Sequence, residues 1–460
     1  MWAWHTKPTK VLSSSSRAPW SVVCRNTHGW RKPSLVGSFV LPPENLGINL
    51  KPTKVMPNKG KKICPHCDPY GEGIEHLGDR LDGFMSLSNK FLFPLNIIID
   101  RNVSFFSVIS KFFLNSIFNI LLVIRILREV DVADDDPNMH SKSMVIIKEA
   151  HLRKIPIKII KVFGRYTNFF SIITKGSKKF FQGAPFYELG KILEIDCDDK
   201  YKLKEILKRN NFPHAEGKSF NKAQNAILYA EKMGFPLVIK PRASSLSKHI
   251  TCNIKSKNEL EEAIRIVKII SPEFIVERHI EGDIYRITLV KHHFVACCLR
   301  EAPNVMGDGI HTVQELIEMK NADPKRGESH QKNFALHKIY STPLTGKLLS
   351  EQKLKFSSKL KKGQKVYLHN KVILACGADI HDRTDRMHQE NIALFERVSQ
   401  LCKLPLIGFD FLCQDISRPY YAQKCAIIEA NSLPSIEMHH FPTSGDSQNI
   451  AKHIFDHYTA

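Results

Sequence analysis

The chain has 460 residues, which suits roughly two or three domains, and its 43% hydrophobic content excludes wholesale disorder. Lys and Arg outnumber Asp and Glu by 67 to 46, and the net charge of +21 favours anionic ligands, although a merely basic surface explains it too. No compact basic run is interleaved with aromatic residues, so we expect no specific nucleic-acid binding.

The N-terminal part, residues 1–60, carries no pattern typical of a folded domain. Residues 1–43 contain no acidic residue but include the serine run Ser13–Ser16, a composition typical of a transit peptide or of a disordered tail. The string Lys-Pro-Thr-Lys-Val occurs at 7–11 and again at 51–55, as a duplicated linker or a start codon assigned too early would produce. We therefore expect 1–60 to be a disordered or wrongly assigned extension.

Residues 61–138 contain one metal-like motif, the pair Cys64 and Cys67. With His66 and His76 the pair could hold zinc, but a complete site usually has two such pairs, so two thiols in a loop remain the other interpretation. The eleven cysteines are otherwise scattered, which favours a reducing compartment and a cytoplasmic protein.

An apolar segment at 103–127 is the best candidate for membrane contact. It is interrupted by Lys111, Asn115 and Asn119, which are spaced by four residues and share one helical face. A spanning helix needs about twenty uninterrupted apolar residues. We therefore predict an amphipathic helix over 103–127 that packs on a domain or lies on a membrane surface.

From residue 139 strands and helices alternate, which predicts a small α/β domain over 139–197 and an α+β region over 198–460. In the first, a helix begins near Ser143 and a strand near Ile155. In the second, a helix ends at Gly234, a natural residue for a helix C-terminus. A helix, two strands and a final helix follow from Asn391.

A few residues in these strands have the chemistry of a nucleotide site. Lys240 ends a strand before Pro241 and could direct its charge at phosphate, although lysines in this setting are common on surfaces. Asp410, Glu429 and Asn431 lie within apolar strands, where buried oxygens need a cation. Such oxygens suit Mg²⁺, although strand polarity facing water is the alternative.

The order of these motifs resembles the ATP-grasp superfamily. The similarity is greatest to the ATP-grasp module of cyanophycin synthetase and of bifunctional glutathione synthetase, and it covers roughly 140–458. Its most specific stretches are 307–316 and 321–327, which begin Gly-Asp-Gly and Asn-Ala-Asp-Pro. The resemblance implies two α+β lobes that clamp ATP, preceded by a small α/β pre-ATP-grasp domain.

The resemblance also implies roles for individual residues. The residues expected to bind the cofactor are Lys200, Lys240, Ser244, Ser245, Glu277, Ile280 and Asp283. Arg286 and Arg300 are expected to be catalytic, in contact with phosphate or an acylphosphate. The expected metal ligands are Asp410, Glu429 and Asn431. The implied reaction is an ATP-dependent joining of a carboxylate to an amine, assisted by Mg²⁺ or Mn²⁺, on amino-acid or peptide-like substrates. The alternative is a degenerate protein that binds nucleotide and acts as a scaffold or regulator. Homo-oligomer formation is left open.

The chain departs from the family pattern at three places. The phosphate loop after Lys240 has no glycine between Gly234 and Gly282, which reduces the freedom to adopt positive φ. Ile284 stands where an acid is usual, with Asp283 beside it. His369 and Ile373 replace an expected arginine and asparagine, so we expect turnover to be affected before the fold.

Overall fold

A computed structural model describes residues 103–134, 136–174, 177–242 and 248–459. The predictions that lie outside these ranges are the N-terminal extension, the candidate zinc ligands Cys64, His66, Cys67 and His76, and the phosphate-loop serines Ser244 and Ser245.

The first described part is a helix followed by an antiparallel sheet. Its elements are α1 (Val103–Val123), β1 (Leu127–Val130), α2 (Ser141–Leu152), β2 (Ile157–Val162), β3 (Arg165–Thr174) and β4 (Ser177–Gln182). The four strands lie side by side in chain order. The predicted helix and strand near Ser143 and Ile155 are confirmed, and β1 joins the sheet from before residue 139.

Helix α1 has apolar side chains on two sides. One side packs on a cluster that includes Phe180 and Leu189, and Lys111 forms an ion pair with Glu188 at 3.0 Å. On the other side the apolar side chains face solvent, with Phe112 77% exposed. The helix ends four residues before the predicted Leu127, because that residue already pairs with β2. None of the described helices is long and apolar enough to cross a membrane.

The next part is a lobe in which two helices cover a four-stranded antiparallel sheet of order β5-β8-β6-β7. Its elements are α3 (Lys200–Arg209), β5 (Gly217–Phe220), α4 (Ala223–Met233), β6 (Leu237–Pro241), β7 (Thr251–Ile254), α5 (Lys257–Lys268) and β8 (Phe274–Arg278). Ala226 and Ala230 of α4 share one core with Leu260 of α5 and with the strands. Helix α4 ends at Gly234 with φ 77°, as predicted.

The last part is built on a five-stranded antiparallel sheet of order β15-β10-β9-β16-β17. Its elements are β9 (Asp283–Val290), β10 (His293–Glu301), β11 (Asn304–Met306), α6 (Val313–Asn321), β12 (Arg326–Gly327), β13 (Leu336–His337), α7 (Pro343–Glu351), β14 (Lys365–Tyr367), β15 (Asp379–Asp382), α8 (Gln389–Cys402), β16 (Leu406–Cys413), β17 (Cys425–Asn431), α9 (Glu437–His440) and α10 (Ile450–Thr459). The elements from β11 to β14 form an insert with its own small core. The helix and two strands predicted after Asn391, and the final helix, are confirmed.

The two faces of the five-stranded sheet differ. One face packs on α8, where Phe395 contacts Phe409 and Phe411. The other face is polar, and α9 lies over it because Met438 packs with Cys298 of β10. The predicted metal ligands and the arginines Arg286 and Arg300 lie on this polar face.

Most of the described cysteines are enclosed by this fold. Six are buried, Cys425 is half-buried and Cys252, on β7, is exposed. Burial raises the pKa of the Cys298 thiol to about 12, with Arg286 and Arg300 opposing the rise. The buried thiols therefore serve as small apolar core residues.

Candidate active site

The polar face of the five-stranded sheet carries the three predicted metal ligands. Asp410 on β16 lies in register with Arg286 of β9 on one side and with Glu429 of β17 on the other. Asn431 lies opposite Gly408, two positions along the same pair of strands. Because side chains alternate along a strand, these residues share a face with Arg286. The pairing of the strands thus brings the predicted ligands together.

Asp410 forms ion pairs with both predicted catalytic arginines. Its Oδ1 accepts from Arg286 Nε at 2.6 Å, and its Oδ2 accepts from Arg300 Nη1 at 2.9 Å. Burial alone would raise the pKa of the Asp410 carboxyl, but the two arginines hold the pKa below its ordinary value. We call Asp410, Arg286, Arg300 and Glu429 the Asp410 cluster.

Both predicted phosphate lysines reach the same edge of the sheet. Lys200 Nζ lies 3.2 Å from Oε1 of Glu429, and Lys240 Nζ donates to the carbonyl oxygen of Ile428 at 3.3 Å. Lys200 is the first residue of α3, where Asp199 caps the helix. The two lysines therefore approach β17 from the neighbouring lobe.

Glu277, predicted to bind the cofactor, lies in a buried ion triad. Its Oε1 is 2.7 Å from Lys240 Nζ, and its Oε2 is 2.8 Å from Lys204 Nζ. Burial alone would raise the pKa of Glu277, but Lys240 and Lys204 lower it. The triad fixes Lys240. Sequence reasoning missed Lys204, although it follows Lys200 by one helical turn.

The remaining cofactor-binding predictions lie where the chain leaves β8. Ile280 is half-buried and Asp283 is exposed at the start of β9. Arg242, the first residue after β6, pairs with Asp199 at 2.7 Å and with Glu273 at 3.2 Å. The base of the phosphate loop is therefore fixed to the start of α3. The roles of Ile280 and Asp283 stay predictions.

Gly408 lies where β16 closely approaches Pro434 and the side chain of Arg286. A Cβ at this position would lie 2.7 Å from the Cβ of Pro434 and 3.2 Å from the Cδ of Arg286. Any larger residue would push aside either the turn after β17 or the arginine that binds Asp410. A glycine is therefore required at this close approach.

Three further polar residues, to which the sequence assigned no role, lie beside the cluster. Lys142 of α2 donates to the carbonyl oxygen of Leu433 at 2.7 Å. His439 Nε2 is 2.8 Å from the hydroxyl of Thr288, which shares the polar face with Arg286. Glu437 lies two positions before His439 on α9. Because Lys142 and Leu433 are 291 positions apart, local sequence patterns carry no signal for this contact.

The donor set of the predicted metal site fits a hard cation. Asp410, Glu429 and Asn431 offer carboxylate and amide oxygens, the ligands that Mg²⁺ prefers. Each Asp410 oxygen accepts one arginine donor, and a carboxylate oxygen has a second lone pair. These residues can therefore hold Mg²⁺ while Asp410 keeps its arginines.

A second acidic group lies at the edge of the same sheet. Within the described ranges, Glu301, Asp379 and His381 place one ligand atom each within 4.8 Å of one another. However, Asp379 already binds Lys320 at 2.5 Å and also pairs with Arg326. Lys320 and Arg326 both belong to the insert, and their ion pairs with Asp379 fasten the insert to β15, so we interpret the group as structural. We call Asp379, Glu301, Lys320 and Arg326 the Asp379 cluster.

His369 stands where the family pattern has an arginine, and this position has lost its positive charge. Burial lowers the pKa of His369 to about 4, and its Nδ1 accepts from the amide of Lys371 at 2.9 Å. The side chain is therefore neutral near pH 7 and cannot supply the charge of the usual arginine.

A cavity of about 180 Å³ lies beside the turn that Lys142 holds. It is lined by Gln182, Tyr187, Glu188, Leu189, Gly190, Lys191, Leu193, Ser432 and Leu433. The Tyr187 hydroxyl donates to the carbonyl oxygen of Leu406 at 2.5 Å, which joins this region to β16.

Curated relatives bear out the predicted resemblance. Cyanophycin synthetase of Crocosphaera subtropica is 35% identical over 269 residues, which are 57% of this chain and 30% of that protein. The bifunctional glutathione biosynthesis protein GshAB is 32% identical over 267 residues in Listeria welshimeri and 26% identical over 424 residues in Clostridium perfringens. These alignments cover 56% and 87% of this chain, and 33% and 52% of the relatives.

A solved structure shows the same fold. The bifunctional glutathione synthetase from Pasteurella multocida superposes with a TM-score of 0.55 at 23% identity, over 70% of this chain and 44% of that chain. The predicted ATP-grasp fold is confirmed. No protein-family model matches the chain. The chain spans about a third of the length of cyanophycin synthetase.

Proposed function

We propose that this protein is an ATP-dependent ligase that joins a carboxylate to an amine. The main support is the position of Asp410, in register between Arg286 and Glu429, with Lys200 and Lys240 approaching from the other lobe. Four cationic side chains thus converge beside a set of oxygen ligands. That arrangement suits the transfer of a phosphoryl group.

The proposed reaction has two steps. A carboxylate oxygen of the first substrate attacks the γ-phosphorus of ATP, the bond to the β-phosphate oxygen breaks, and ADP leaves. The amine nitrogen of the second substrate then attacks the acyl carbon. The carbon–oxygen bond to phosphate breaks, inorganic phosphate leaves, and the nitrogen loses a proton. Each turnover therefore produces one amide, one ADP and one phosphate.

The side chains of the polar face have defined tasks in this scheme. Lys200 and Lys240 bind phosphate oxygens, and Glu277 and Lys204 hold Lys240 in place. Arg286 and Arg300 neutralise charge on the transferring group from positions fixed by Asp410. Mg²⁺ or Mn²⁺, held by Asp410, Glu429 and Asn431, would supply further neutralisation of phosphate charge.

A phosphate-release assay on the full chain tests the proposal. We expect release from ATP with Mg²⁺ only when a carboxylate and an amine are both present, across pairs of amino acids and dipeptides, and we expect chelation by EDTA to abolish it. Lys240→Met should lower the rate at least a hundredfold. Absence of release with every pair would contradict the proposal.

The alternative is a nucleotide-binding scaffold or regulator. The neutral His369 favours it, since a cation of the family pattern is missing. Isothermal titration with ATP and Mg²⁺ should show binding under either function. Binding of ATP without phosphate release across the substrate panel would favour the scaffold.

We also propose peripheral contact with a membrane surface through α1. Val108, Phe112 and Val123 are 67%, 77% and 81% exposed, and apolar side chains at the interface stabilise such contact. Co-sedimentation with anionic vesicles should fall on Phe112→Ser, with Tyr421→Ser, an exposed aromatic elsewhere, as the matched control. Equal sedimentation of both variants would contradict the contact. Assembly into a homo-oligomer and a cytoplasmic location stay predictions.

A further inference from the structure

Exposed apolar side chains lie where the C-terminal end of α1 meets the turn between β2 and β3. The amide of Phe163, in that turn, donates to the carbonyl oxygen of Ile126 at 3.3 Å. Val123 is the last residue of α1, and both it and Ile124 are exposed. Phe163 itself is 79% exposed. We call Val123, Ile124 and Phe163 the apolar tip.

The backbone at the tip suits other residues better than phenylalanine. Val162 and Arg165 are register partners, so Phe163 and Gly164 form a two-residue hairpin turn. Both turn residues have positive φ, 47° and 78°. Such turns favour Asn followed by Gly, because a positive φ is strained for an aromatic residue. Since Phe163 is neither buried nor suited to the turn, its side chain has a task outside the fold.

Three exposed arginines lie within a few residues of the tip, and they are Arg125, Arg128 and Arg165. None of their side chains forms an ion pair or a hydrogen bond within the described part of the chain. Arg128 also lies directly opposite Lys161 in the pairing of β1 with β2. Like charges in this position repel each other, so a bound anion would stabilise the arrangement.

A lipid bilayer matches this combination better than a protein does. Apolar side chains at the bilayer interface become buried, and guanidinium groups beside them bind headgroup phosphates. A second copy of the chain that used the same patch would bring arginines against arginines. A different folded protein would need a pocket shaped for the tip, whereas a bilayer accommodates it without one.

We propose that the apolar tip enters the interface of an anionic bilayer, with Arg125, Arg128 and Arg165 bound to the lipid headgroups. The inference rests on the membrane contact proposed for α1, and it adds the lipid class and the inserted side chains. Neither proposal requires ligase activity, so phosphate release tests a separate property of the protein.

Co-sedimentation of the wild-type full chain with lipid vesicles tests the lipid class. One set of vesicles contains phosphatidylcholine alone, and the other also contains about 30% phosphatidylserine. We expect about a hundredfold tighter binding to the anionic vesicles, because each arginine contributes about fivefold. The preference should disappear in about 0.5 M NaCl, which screens exposed charges. Equal binding to both vesicles, or no binding, would overturn the proposal.

Phe163→Asn tests insertion without disturbing the turn. Binding to the anionic vesicles should fall about tenfold, because an apolar side chain no longer leaves water. The melting temperature should stay the same or rise, since Asn followed by Gly suits the turn. Tyr421→Asn alters an exposed aromatic residue elsewhere and should leave binding unchanged. Unchanged binding by Phe163→Asn, or a lower melting temperature, would overturn the proposal.

Two triple variants with equal net charge test the arginines. The tip variant combines Arg125→Gln, Arg128→Gln and Arg165→Gln. The control removes three exposed lysines of the insert, in Lys353→Gln, Lys355→Gln and Lys359→Gln. We expect only the tip variant to lose the preference for phosphatidylserine. An equal loss in both would assign binding to the net charge of the chain and overturn the proposal.

The proposals for α1 and for the tip fail in different ways. If Phe112→Ser weakens vesicle binding but Phe163→Asn and the tip variant do not, the contact through α1 stands and the tip proposal fails. If only the tip variants weaken binding, the tip proposal stands and the contact along α1 fails. Sedimentation velocity without lipid tests the other occupant. A wild-type dimer that Phe163→Asn dissociates would assign the tip to a second copy of the chain and overturn the proposal.

Discussion

The Asp410 and Asp379 clusters look alike locally but differ in what surrounds them. Each has a buried aspartate bound by two cationic side chains. The cations of Asp379 come from the insert, and they fasten the insert to β15. Asp410 is bound by arginines of its own sheet, while two lysines approach from another lobe. An ion pair therefore indicates function only when further charges converge on it without a structural need.

The largest expected effect is on catalysis by the Asp410 cluster. Glu429→Gln should lower phosphate release by about 10³-fold, because it removes a proposed metal ligand and the partner of Lys200. The free energy of unfolding should fall by about 1 kcal/mol, less than for Asp379→Asn, because the side chain of Glu429 is 26% exposed although that of Lys200 is only 4% exposed. Phosphate release and urea unfolding measure the two quantities. A rate within tenfold of the wild type would remove the distinction between the clusters.

Asp379→Asn should have the opposite profile. It leaves Arg326, whose side chain is 1% exposed, and Lys320 without their carboxylate. We expect a loss of about 3 kcal/mol in the free energy of unfolding, with an unchanged rate per folded molecule. Urea unfolding monitored by circular dichroism measures the loss. A variant of normal stability but reduced rate would place Asp379 in the catalytic machinery.

Acid should affect the two regions at different pH. Burial, with a contribution from Arg286, lowers the pKa of His439 to about 3, whereas an unfolded histidine titrates near 6.5. The unfolded chain therefore binds the extra proton first as pH falls below about 6.5, and stability should drop by about 2 kcal/mol between pH 7 and pH 5. His439→Gln should reduce the change in the free energy of unfolding between pH 7 and pH 5.

Glu301 provides the contrast in the Asp379 cluster. Burial alone would raise the pKa of Glu301, but hydrogen bonds from His381 and Lys365 lower it to about 2. Its contribution is complete above about pH 4.5 and is lost only as pH falls from there towards 2. Glu301→Gln should therefore leave the slope between pH 7 and pH 5 unchanged. A change in that slope would contradict the assignment.

The smallest change in the free energy of unfolding is expected for an ion pair outside both clusters. Lys403 and Glu194 form an ion pair at 2.6 Å, but their side chains are 56% and 55% exposed. Lys403→Met should change the free energy of unfolding by no more than about 0.5 kcal/mol. A larger loss by urea unfolding would mean that exposure is a poor guide to the energy of ion pairs in this protein.

Local patterns predicted much of the fold. Apolar runs gave β16 and β17 with the polar residues Asp410, Glu429 and Asn431 inside them, and Gly234 gave the end of α4. These features depend on side-chain alternation and on backbone freedom, which a short stretch of sequence carries.

The sequence alone did not predict which distant strands and side chains pair with one another. Asp410 and Arg286 are 124 positions apart, and nothing near either residue specifies that β9 and β16 are neighbours. The contact between Lys142 and Leu433 likewise depends on how α2 packs against the turn after β17. The predicted end of α1 at Leu127 was wrong, because Leu127 pairs with β2 although the apolar pattern of the helix extends to it.

The distribution of cysteines allows this protein to be labelled selectively with a fluorescent dye. Alkylating reagents need an accessible thiolate, and of the described cysteines only Cys252 is exposed. Once Cys24, Cys64 and Cys67, which lie outside the described residues, are replaced, a maleimide dye should label Cys252 selectively. Strand β7 pairs with β6, which carries Lys240, so the dye would lie next to the strand that carries the proposed phosphate lysine. Its fluorescence should therefore follow nucleotide binding in real time, independently of any second substrate.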